Sequence, residues 1–265
     1  MKTFSKPSEA IKWTKERLSD YGYVVKTEKW QGIESPDDMW ETMNHSFQFF
    51  VPETLDELRK EVRPNLPWAD DHFQERVGGL PLNPPPSHEW WPFAQKNNEQ
   101  FGGHAKFSHT YPERIWPKNI GLVDSLTSDQ PVEKLRGIRF EYGDFGDVID
   151  LMEREPFTRQ AFLPIWFPED TGTVHGERVP CTIGYHFMRR GDNIHIVYYI
   201  RSCDYIRHFR DDVYMACRKL LYVLDMLKLR DYERWKDVKP GYFAMHIVSL
   251  HCFNSEKGIL KQSKL

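Results

Sequence analysis

The chain of 265 residues has few cysteines, no long apolar run and no large excess of charge of either sign. Its four cysteines all lie in the last third, which is unlike the disulfide framework of a small secreted protein. No apolar run approaches the roughly 18 residues that a membrane span needs, and the first residues lack the apolar core of a secretory signal. The sequence therefore predicts a cytoplasmic protein without a membrane partner.

The charges nearly balance, with 36 Lys and Arg against 39 Asp and Glu. Sequence-independent binding to nucleic acid requires clustered positive charge, so the composition argues against a direct nucleic-acid partner. The sequence also has no glycine-rich phosphate-binding loop of either standard kind. A hydrophobic fraction of 40% predicts a folded chain with a real core, and the absence of repeats and linkers predicts one domain over residues 1–265.

The carboxyl-terminal half has the clearest periodicity. Its patterns predict a helix over 144–155, a buried strand over 158–167, a hairpin of strands 181–190 and 193–202, and a strand over 241–253. From Phe209 to Leu229 apolar residues recur every three or four positions, which predicts a long amphipathic helix. We therefore expect a mixed α/β (α+β) fold in which a mixed sheet packs on a long central helix.

The first half of the chain is less regular. A helix is predicted from Ser8 onwards, with a start signal that lacks the glutamate of a capping box. Residues 64–92 contain many prolines, which remove backbone donors, so this stretch is predicted to consist mostly of loop. Its Trp, His and charged residues fit two alternatives, a surface excursion packed by its own aromatic side chains and a loop that covers a ligand.

Cys181 is the candidate nucleophile. A free cysteine is most often a small buried structural residue, and we assign that role to the other three, Cys203, Cys217 and Cys252. Cys181 differs because Arg201 and Ser202 end the partner strand of the predicted hairpin and return to its neighbourhood. A nearby guanidinium favours the thiolate, which is the nucleophilic form of cysteine.

Several charged residues could bind a ligand. The planar guanidinium groups of Arg159 and Arg201 suit a phosphate. Asp211 and Asp212 fall in the first turn of the long helix, where one carboxylate could cap the helix and the other could face a ligand.

His246, His251 and Cys252 suggest a zinc site at first sight. Side chains alternate across a strand, however, so the two histidines should point in opposite directions. No CxxC or HExxH motif accompanies them, and we expect no metal.

Four separate motifs, in order and spacing, resemble the thymidylate synthase superfamily. They are VPCT (179–182), RSCD (201–204), DDVY (211–214) and MHIVSLH (245–251), preceded by PFTRQ (156–160), which resembles the family's phosphate-binding arginine segment. The match covers residues 143–253, and residues 1–140 form a more variable amino-terminal part with active-site loops. The resemblance implies a single domain of that fold and a homodimer formed through one face of the sheet.

The resemblance also implies roles for individual residues. Cys181 would add to C6 of a pyrimidine, Arg201 and Ser202 would hold the 5′-phosphate, and Arg159 would reach the phosphate in the neighbouring subunit. His246 would bind the sugar 3′-hydroxyl, and Asp204 would contact the folate cofactor. DDHFQER (70–76) resembles the segment with the catalytic glutamate, which becomes Glu75. YPERIW (111–116) resembles the active-site tyrosine segment, with Tyr111 as the catalytic residue and Trp116 on the cofactor side.

Asp212 stands where thymidylate synthases have an asparagine whose amide pairs with N3–H and O4 of uracil. Cytosine offers its N4 amino group and, once attacked at C6 and protonated, an N3–H donor. A carboxylate accepts from both, so Asp212 indicates cytosine. It resembles the deoxycytidylate and cytidylate 5-hydroxymethylase branch, as does Thr182, where the synthases usually have histidine.

Three positions depart from the family pattern. Val248 stands where the family has a tyrosine at the 3′-hydroxyl, so both deoxyribose and ribose remain open. His208 replaces a usual glycine near the folate, and Gln160 replaces the second arginine of a pair. Phosphate binding could therefore use Arg63, Arg76 or an amino-terminal lysine.

The function that the resemblance implies is transfer of a one-carbon unit from 5,10-methylenetetrahydrofolate to C5 of dCMP. Water, positioned by Glu75, would then add where a synthase delivers hydride, giving 5-hydroxymethyl-dCMP. The alternatives are a CMP 5-hydroxymethylase, a thymidylate synthase that methylates dUMP, and a dimeric nucleotide-binding module without activity.

Overall fold

The structure is a computed structural model that describes residues 1–30, 33–93, 107, 109–119, 143–171 and 179–262. The strands are β1 (Lys2–Phe4), β2 (Tyr23–Val25), β3 (Lys29–Trp30), β4 (Ile33–Glu34), β5 (Met39–Phe50), β6 (Phe162–Pro164), β7 (Thr182–Arg190), β8 (Asn193–Asp204) and β9 (Lys239–Phe253). The helices are α1 (Pro7–Tyr21), α2 (Leu55–Val62), α3 (Trp68–Val77), α4 (Tyr111–Ile115), α5 (Phe145–Arg154), α6 (Phe209–Arg230) and α7 (Tyr232–Trp235).

One mixed sheet organises the described part of the chain. Its strands follow the spatial order β1, β5, β9, β8, β7, β6. The strand β5 pairs with β2 near its beginning and with β1 near its end. The strands β8 and β9 run parallel, whereas β5 pairs antiparallel with β9 and β7 pairs antiparallel with β8. The carboxyl ends of β8 and β9 therefore meet at the beginning of β5, where His251 pairs with both Asp204 and Glu41.

The predicted hairpin is formed by β7 and β8. It turns at Gly191 and Asp192, and Gly191 has φ +59°, a left-handed conformation that glycine adopts without steric cost.

The long helix α6 packs against one face of this sheet. The apolar residues that predicted the helix are all buried, and they are Phe209, Val213, Ala216, Leu220, Leu224 and Leu227. On β8 the even-numbered residues from Ile194 to Ile200 are buried against the helix side, as expected for a strand with period two. The sequence prediction of a mixed sheet on a long central helix is therefore confirmed.

The opposite face of the sheet carries aromatic and apolar side chains that remain exposed or half-buried. Phe50 is 50% exposed and its ring lies 4.2 Å from that of Tyr242. Val248 is 43% exposed, and beside it the ring of His246 stacks on Tyr199 at 5.3 Å. This surface is called the outer face below.

Local signals explain where the helices begin. α5 starts in a capping box in which Asp144 and Asp147 each accept from the other's backbone N–H. α1 starts at Pro7, where the missing N–H of proline costs no hydrogen bond. None of the described helices combines the length and the apolarity that a bilayer crossing requires.

The predicted strand over 158–167 is largely wrong. Only Phe162–Pro164 forms a strand, because the backbone leaves the ladder at Ile165, where the N–H groups of Ile165 and Trp166 both bond to the carbonyl of Ile183. Arg159 precedes the strand on the surface, where its carbonyl accepts from His186.

The proline-rich stretch also differs from the prediction. It contains the helix α3, which has prolines before and after it but none inside, and a short 3₁₀ helix over Pro86–Trp90. The strand β5 was not predicted, although it is a central strand of the sheet.

Candidate active site

A pocket of about 470 Å³ opens where the carboxyl ends of β8 and β9 meet the beginning of α6. Its other walls come from the start of β5, from α3, from α4 and from the segment around Trp91. Cavities of this size suit small-molecule ligands. The pocket brings together Cys181, Arg201, Ser202, Asp204, Asp212 and Tyr111, six residues that the sequence analysis selected from separate motifs.

The β7–β8 pairing places Cys181 beside Arg201. The backbone N–H of Arg201 donates to the carbonyl of Cys181 at 2.9 Å. The Arg201 guanidinium donates to the carbonyls of Pro180 at 2.9 Å and Val179 at 3.1 Å. Arg201 thus fixes the segment that presents Cys181, and the remaining donors of its guanidinium are available to a ligand. Cys181 is also the least buried of the four free cysteines.

The two acidic residues at the start of α6 have different surroundings. Asp211 is 1% exposed, and its carboxylate accepts from the backbone N–H and the side-chain amide of Asn65, both at 2.8 Å. Asp212 lies one residue further and lines the pocket. Burial raises the pKa of Asp212, Arg76 lowers it, and Asp211 and Asp204 raise it, so that the pKa is raised to about 7. Asp212 can therefore exchange a proton near neutral pH.

Tyr111 is held at the pocket by the helix α4. This helix starts in a Thr110–Glu113 capping box, and Arg114 forms a buried bidentate ion pair with Asp170 at 2.6 and 2.7 Å. The hydroxyl of Thr182 donates to the Tyr111 hydroxyl at 3.2 Å. Burial raises the pKa of Tyr111, and the neighbouring Cys181 and Asp212 raise it further, so its phenol is neutral at neutral pH.

Glu75 lies behind the pocket wall and does not line the cavity. Its carboxylate accepts from the backbone N–H of Ser87 at 2.6 Å and from the Ser87 hydroxyl at 2.5 Å, and it lies 3.0 Å from Nδ1 of His72. His72 and Arg76, on the same helix α3, line the cavity instead. Consecutive residues of a helix point about 100° apart, so Arg76 faces the cavity and Glu75 does not, and a sequence motif does not encode which of the two does.

Three further predicted site residues lie outside the cavity lining. The indole of Trp116 donates to the carbonyl of Arg76 at 2.9 Å. His246 stacks on Tyr199 at the outer face, and Arg159 is on the surface. At the carboxyl end of β9 the residues that face the pocket are Ser249 and His251.

The sequence analysis missed a polar cluster on the strand side of the pocket. The Ser249 hydroxyl donates to Glu41 at 2.5 Å and lies 3.2 Å from Nδ1 of His251. Glu41 is on β5, whose pairing with β9 puts it opposite His251. In MHIVSLH either the side of the strand with His246 or the side with Ser249 and His251 could face the pocket. Only the position of the strand in the sheet decides that Ser249 and His251 do.

Asp204 lines the pocket with its carboxylate already engaged. It accepts from the backbone N–H groups of Ile206 and Arg207 at 3.0 Å each and from the Arg207 guanidinium at 3.1 Å. Aromatic side chains, among them Trp30, Trp68 and Trp91, line the adjoining part of the cavity. In the part of the chain that the structure describes, no group of three or more His, Cys, Asp and Glu side chains could hold a metal ion.

No protein-family model matches the sequence, and no curated protein matches it significantly. Among solved structures, the chain is similar to a thermostable thymidylate synthase A from Bacillus subtilis, with a TM-score of 0.63 and 12% sequence identity. The similarity covers 97% of this chain and 83% of that protein. At this level of identity the comparison concerns the fold alone, and the conclusion is that this chain has the thymidylate synthase fold.

Proposed function

We propose that this protein transfers a one-carbon unit to C5 of a pyrimidine nucleotide, with dCMP as the substrate and 5-hydroxymethyl-dCMP as the product. The observation that carries the proposal is the convergence of Cys181, Arg201, Ser202 and Asp212 on one pocket of a thymidylate synthase fold. These residues supply a nucleophile, an anion site and a group that can read the edge of a base.

Cys181 begins the reaction by adding its sulfur to C6 of the ring. The electrons of the C5–C6 double bond move to C5, which becomes the nucleophile. Arg201 and Ser202 hold the phosphate next to the segment that Arg201 also fixes, so the ring has a set position relative to the sulfur. Expulsion of Cys181 at the end restores the double bond.

Asp212 reads the base. N3 of free cytosine carries a lone pair and becomes a donor only when it is protonated. Asp212, whose pKa is raised to about 7, can supply this proton and then accept from both N3–H and the N4 amino group. N3 of cytosine is a far better base than O4 of uracil, so the proton transfer favours cytosine.

Tyr111 is suited to relay the proton that leaves C5. Its hydroxyl accepts from Thr182, which in turn bonds to the hydroxyl of Tyr198 at 2.9 Å. These contacts hold the neutral Tyr111 hydroxyl at the cavity, where its oxygen takes up the C5 proton while its own hydroxyl proton passes to a water molecule.

The aromatic part of the pocket fits a folate. Trp91 is 8% exposed and its ring stacks on that of His208 at 4.9 Å. No acceptor among the described residues bonds to the buried indole N–H of Trp91, which leaves a donor for a polar ring. Methylenetetrahydrofolate supplies the one-carbon unit in this class of reaction. Trp91 and Asp204 are the residues that we assign to its binding, and Trp116 would act indirectly, through Arg76.

The sugar contacts are assigned to Glu41, Ser249 and His251 rather than to His246. The carboxylate and the imidazole can accept from a sugar hydroxyl, and this cluster is on the pocket side of β9. Addition of water rather than hydride, with Glu75 acting from behind His72, depends on the resemblance of the sequence to the hydroxymethylase branch.

The test is a comparison of dCMP, CMP and dUMP, each labelled with tritium at C5, with purified protein and methylenetetrahydrofolate. We expect tritium release from dCMP, tetrahydrofolate as the folate product, and a mass gain of one hydroxymethyl group. Release from dUMP with formation of dihydrofolate would support a synthase instead. No release from either cytidylate would contradict the proposal.

We further propose that the protein is a homodimer in which two outer faces pack together and Arg159 reaches the partner's phosphate site. The outer face offers exposed Phe50 and Val248, and Arg159 does not line its own pocket.

Sedimentation equilibrium should give twice the chain mass of 31.6 kDa. A mixture of Arg159→Ala and Cys181→Ala chains should regain up to about a quarter of the wild-type activity, because one site in such a mixed dimer keeps both residues. A monomer, or no regain in a dimer, would refute this arrangement.

A further inference from the structure

A chain of buried polar groups runs from Glu75, behind the pocket wall, to Arg76, which lines the pocket. The Glu75 carboxylate is held by Ser87 and by Nδ1 of His72, and Nε2 of the same ring lies 3.1 Å from Nη2 of Arg76. His72 is 8% exposed, Ser87 is fully buried and Arg76 is 3% exposed. The sequence resemblance assigned the catalytic role to Glu75, but the chain ends on Arg76.

The chain fixes the proton positions of His72. A guanidinium only donates hydrogen bonds, so Nε2 of His72 must accept from Arg76. The ring proton is then on Nδ1, where it points towards the Glu75 carboxylate. Burial and the charge of Arg76 lower the pKa of His72, so the ring is neutral at neutral pH. His72 therefore orients the guanidinium and carries no charge of its own.

Arg76 is held in a second way as well. Its guanidinium stacks over the ring of Tyr111, 4.1 Å from the ring centroid. Its Nε is buried and has no hydrogen-bond partner among the described residues, although the side chain lines the pocket. A buried guanidinium with an unused donor is costly unless a ligand or a neighbouring charge compensates it.

Asp212 lines the same pocket as Arg76 and is the acidic group there that this cation influences. Arg76 is the positive charge that lowers the pKa of Asp212 against burial and two carboxylates. The nearby Lys219 is fully buried among aromatic rings, and its burial, followed by the charge of Arg76, lowers its pKa. The titratable and charged groups that interact electrostatically with Asp212 are Arg76, Tyr111, Tyr185, Tyr198, Cys203, Asp204 and Asp211, and Cys181 lines the same pocket.

We propose that Arg76, positioned by Glu75, Ser87 and His72, is the counter-ion that lets Asp212 give its proton to N3 of the cytosine ring. The inference depends on the proposed function. The proton moves from the Asp212 carboxyl group to N3 while the Cys181 sulfur bonds to C6, and the carboxylate left behind shares the pocket with the Arg76 cation. The proton returns to Asp212 when Cys181 leaves. No other reactant is needed.

The inference predicts how Arg76→Gln behaves. Without the cation the Asp212 proton is held more tightly, so the pH at which Asp212 titrates should rise by about one unit, a tenfold change in its acidity. The high-pH limb of kcat/KM for dCMP should move up by the same amount, because Asp212 must be protonated to act. The maximum of that profile should fall by about tenfold or more, because the carboxylate formed in the reaction loses its counter-ion.

Carbon-13 NMR of labelled aspartate carboxyl groups, with Asp212→Asn for assignment, measures the titration without any substrate. Arg17→Gln, a change at a half-buried arginine of α1 that does not line the pocket, is the matched control and should leave the Asp212 titration unchanged. Glu75→Gln is a second variant that keeps the size of the side chain but removes its charge. It should move both the titration and the pH profile in the same direction as Arg76→Gln, by a smaller amount.

The outcomes separate the inference from the proposed function. If the wild type releases no tritium from any cytidylate, the proposed function fails, and the inference fails with it. If the wild type is active but Asp212 titrates at the same pH in Arg76→Gln as in the wild type, only the inference is refuted. If Arg76→Gln does not fold, Glu75→Gln decides. A folded Glu75→Gln variant in which the Asp212 titration and the pH profile are unchanged would refute the positioning role of Glu75, Ser87 and His72.

Discussion

Replacing Cys181 by alanine is expected to abolish tritium release from C5 of dCMP, by roughly 10⁴-fold or more. The thiol forms the bond to C6 that makes C5 nucleophilic, and the nearby groups cannot replace it. Tyr111 holds its proton because its pKa is raised, and the other cysteines are buried. Binding of dCMP in the absence of folate should change by only a few fold, because phosphate and base contacts remain.

The matched control is Cys217→Ala, on the buried side of α6. Burial raises the pKa of the Cys217 thiol, and the residue does not line the pocket. Its loss removes packing atoms, so it should lower the free energy of unfolding while leaving the tritium release per folded molecule near that of the wild type. Turnover that persists in Cys181→Ala would rule out covalent catalysis by this residue.

Replacing Asp212 by asparagine should turn the preference from dCMP towards dUMP. An amide can pair with N3–H and O4 of uracil, but it cannot protonate N3 of cytosine. A site built around specific hydrogen bonds discriminates by large factors, and we expect the ratio of kcat/KM for dCMP to that for dUMP to fall by about 10³-fold or more. The measurement uses an equimolar mixture of the two C5-tritiated nucleotides, each with a different second label. The loss of tritium relative to its second label gives the rate for each nucleotide.

Asp225→Asn serves as the control, because Asp225 is on the same helix but lines a different cavity. It should keep the preference of the wild type. An unchanged dCMP to dUMP ratio in Asp212→Asn would remove Asp212 from base recognition. The pH profile adds an independent check, because the high-pH limb that we assign to Asp212, near pH 7, should disappear in Asp212→Asn and stay in Asp225→Asn.

The sequence predicts well those helices and strands whose spacing of apolar residues fits only one kind of secondary structure. The heptad-like spacing of α6 predicts its buried stripe, and the Gly191-Asp192 turn between two apolar runs predicts the hairpin. The helix α3 and the strand β5 were missed for opposite reasons. The prolines on both sides of α3 obscured a helix that has none inside it. The strand β5 alternates only partly between apolar and polar residues, so its sequence does not show that it is central in the sheet.

The site residues divide in the same way. Cys181, Arg201, Ser202 and Asp212 could be found from the sequence because each is next to a recognisable strand end or helix start, and the fold places those points around one pocket. Glu75, His246 and Trp116 could not be placed, because each depends on which side of a helix or strand faces the cavity. The neighbours that do face it are Arg76, Ser249 and His251.

The sequence alone determined which chemistry-bearing residues the protein has and that their order fits a sheet packed on a long helix. The spacing of apolar residues along the chain is a local property, and it predicts the same helix or strand in any fold that buries the same residues. The tertiary structure decided which of two adjacent or alternate residues meets the pocket, because a strand or helix can present either face until its neighbours in the sheet and core fix it. That choice made Arg76 a pocket residue and left Glu75 behind it.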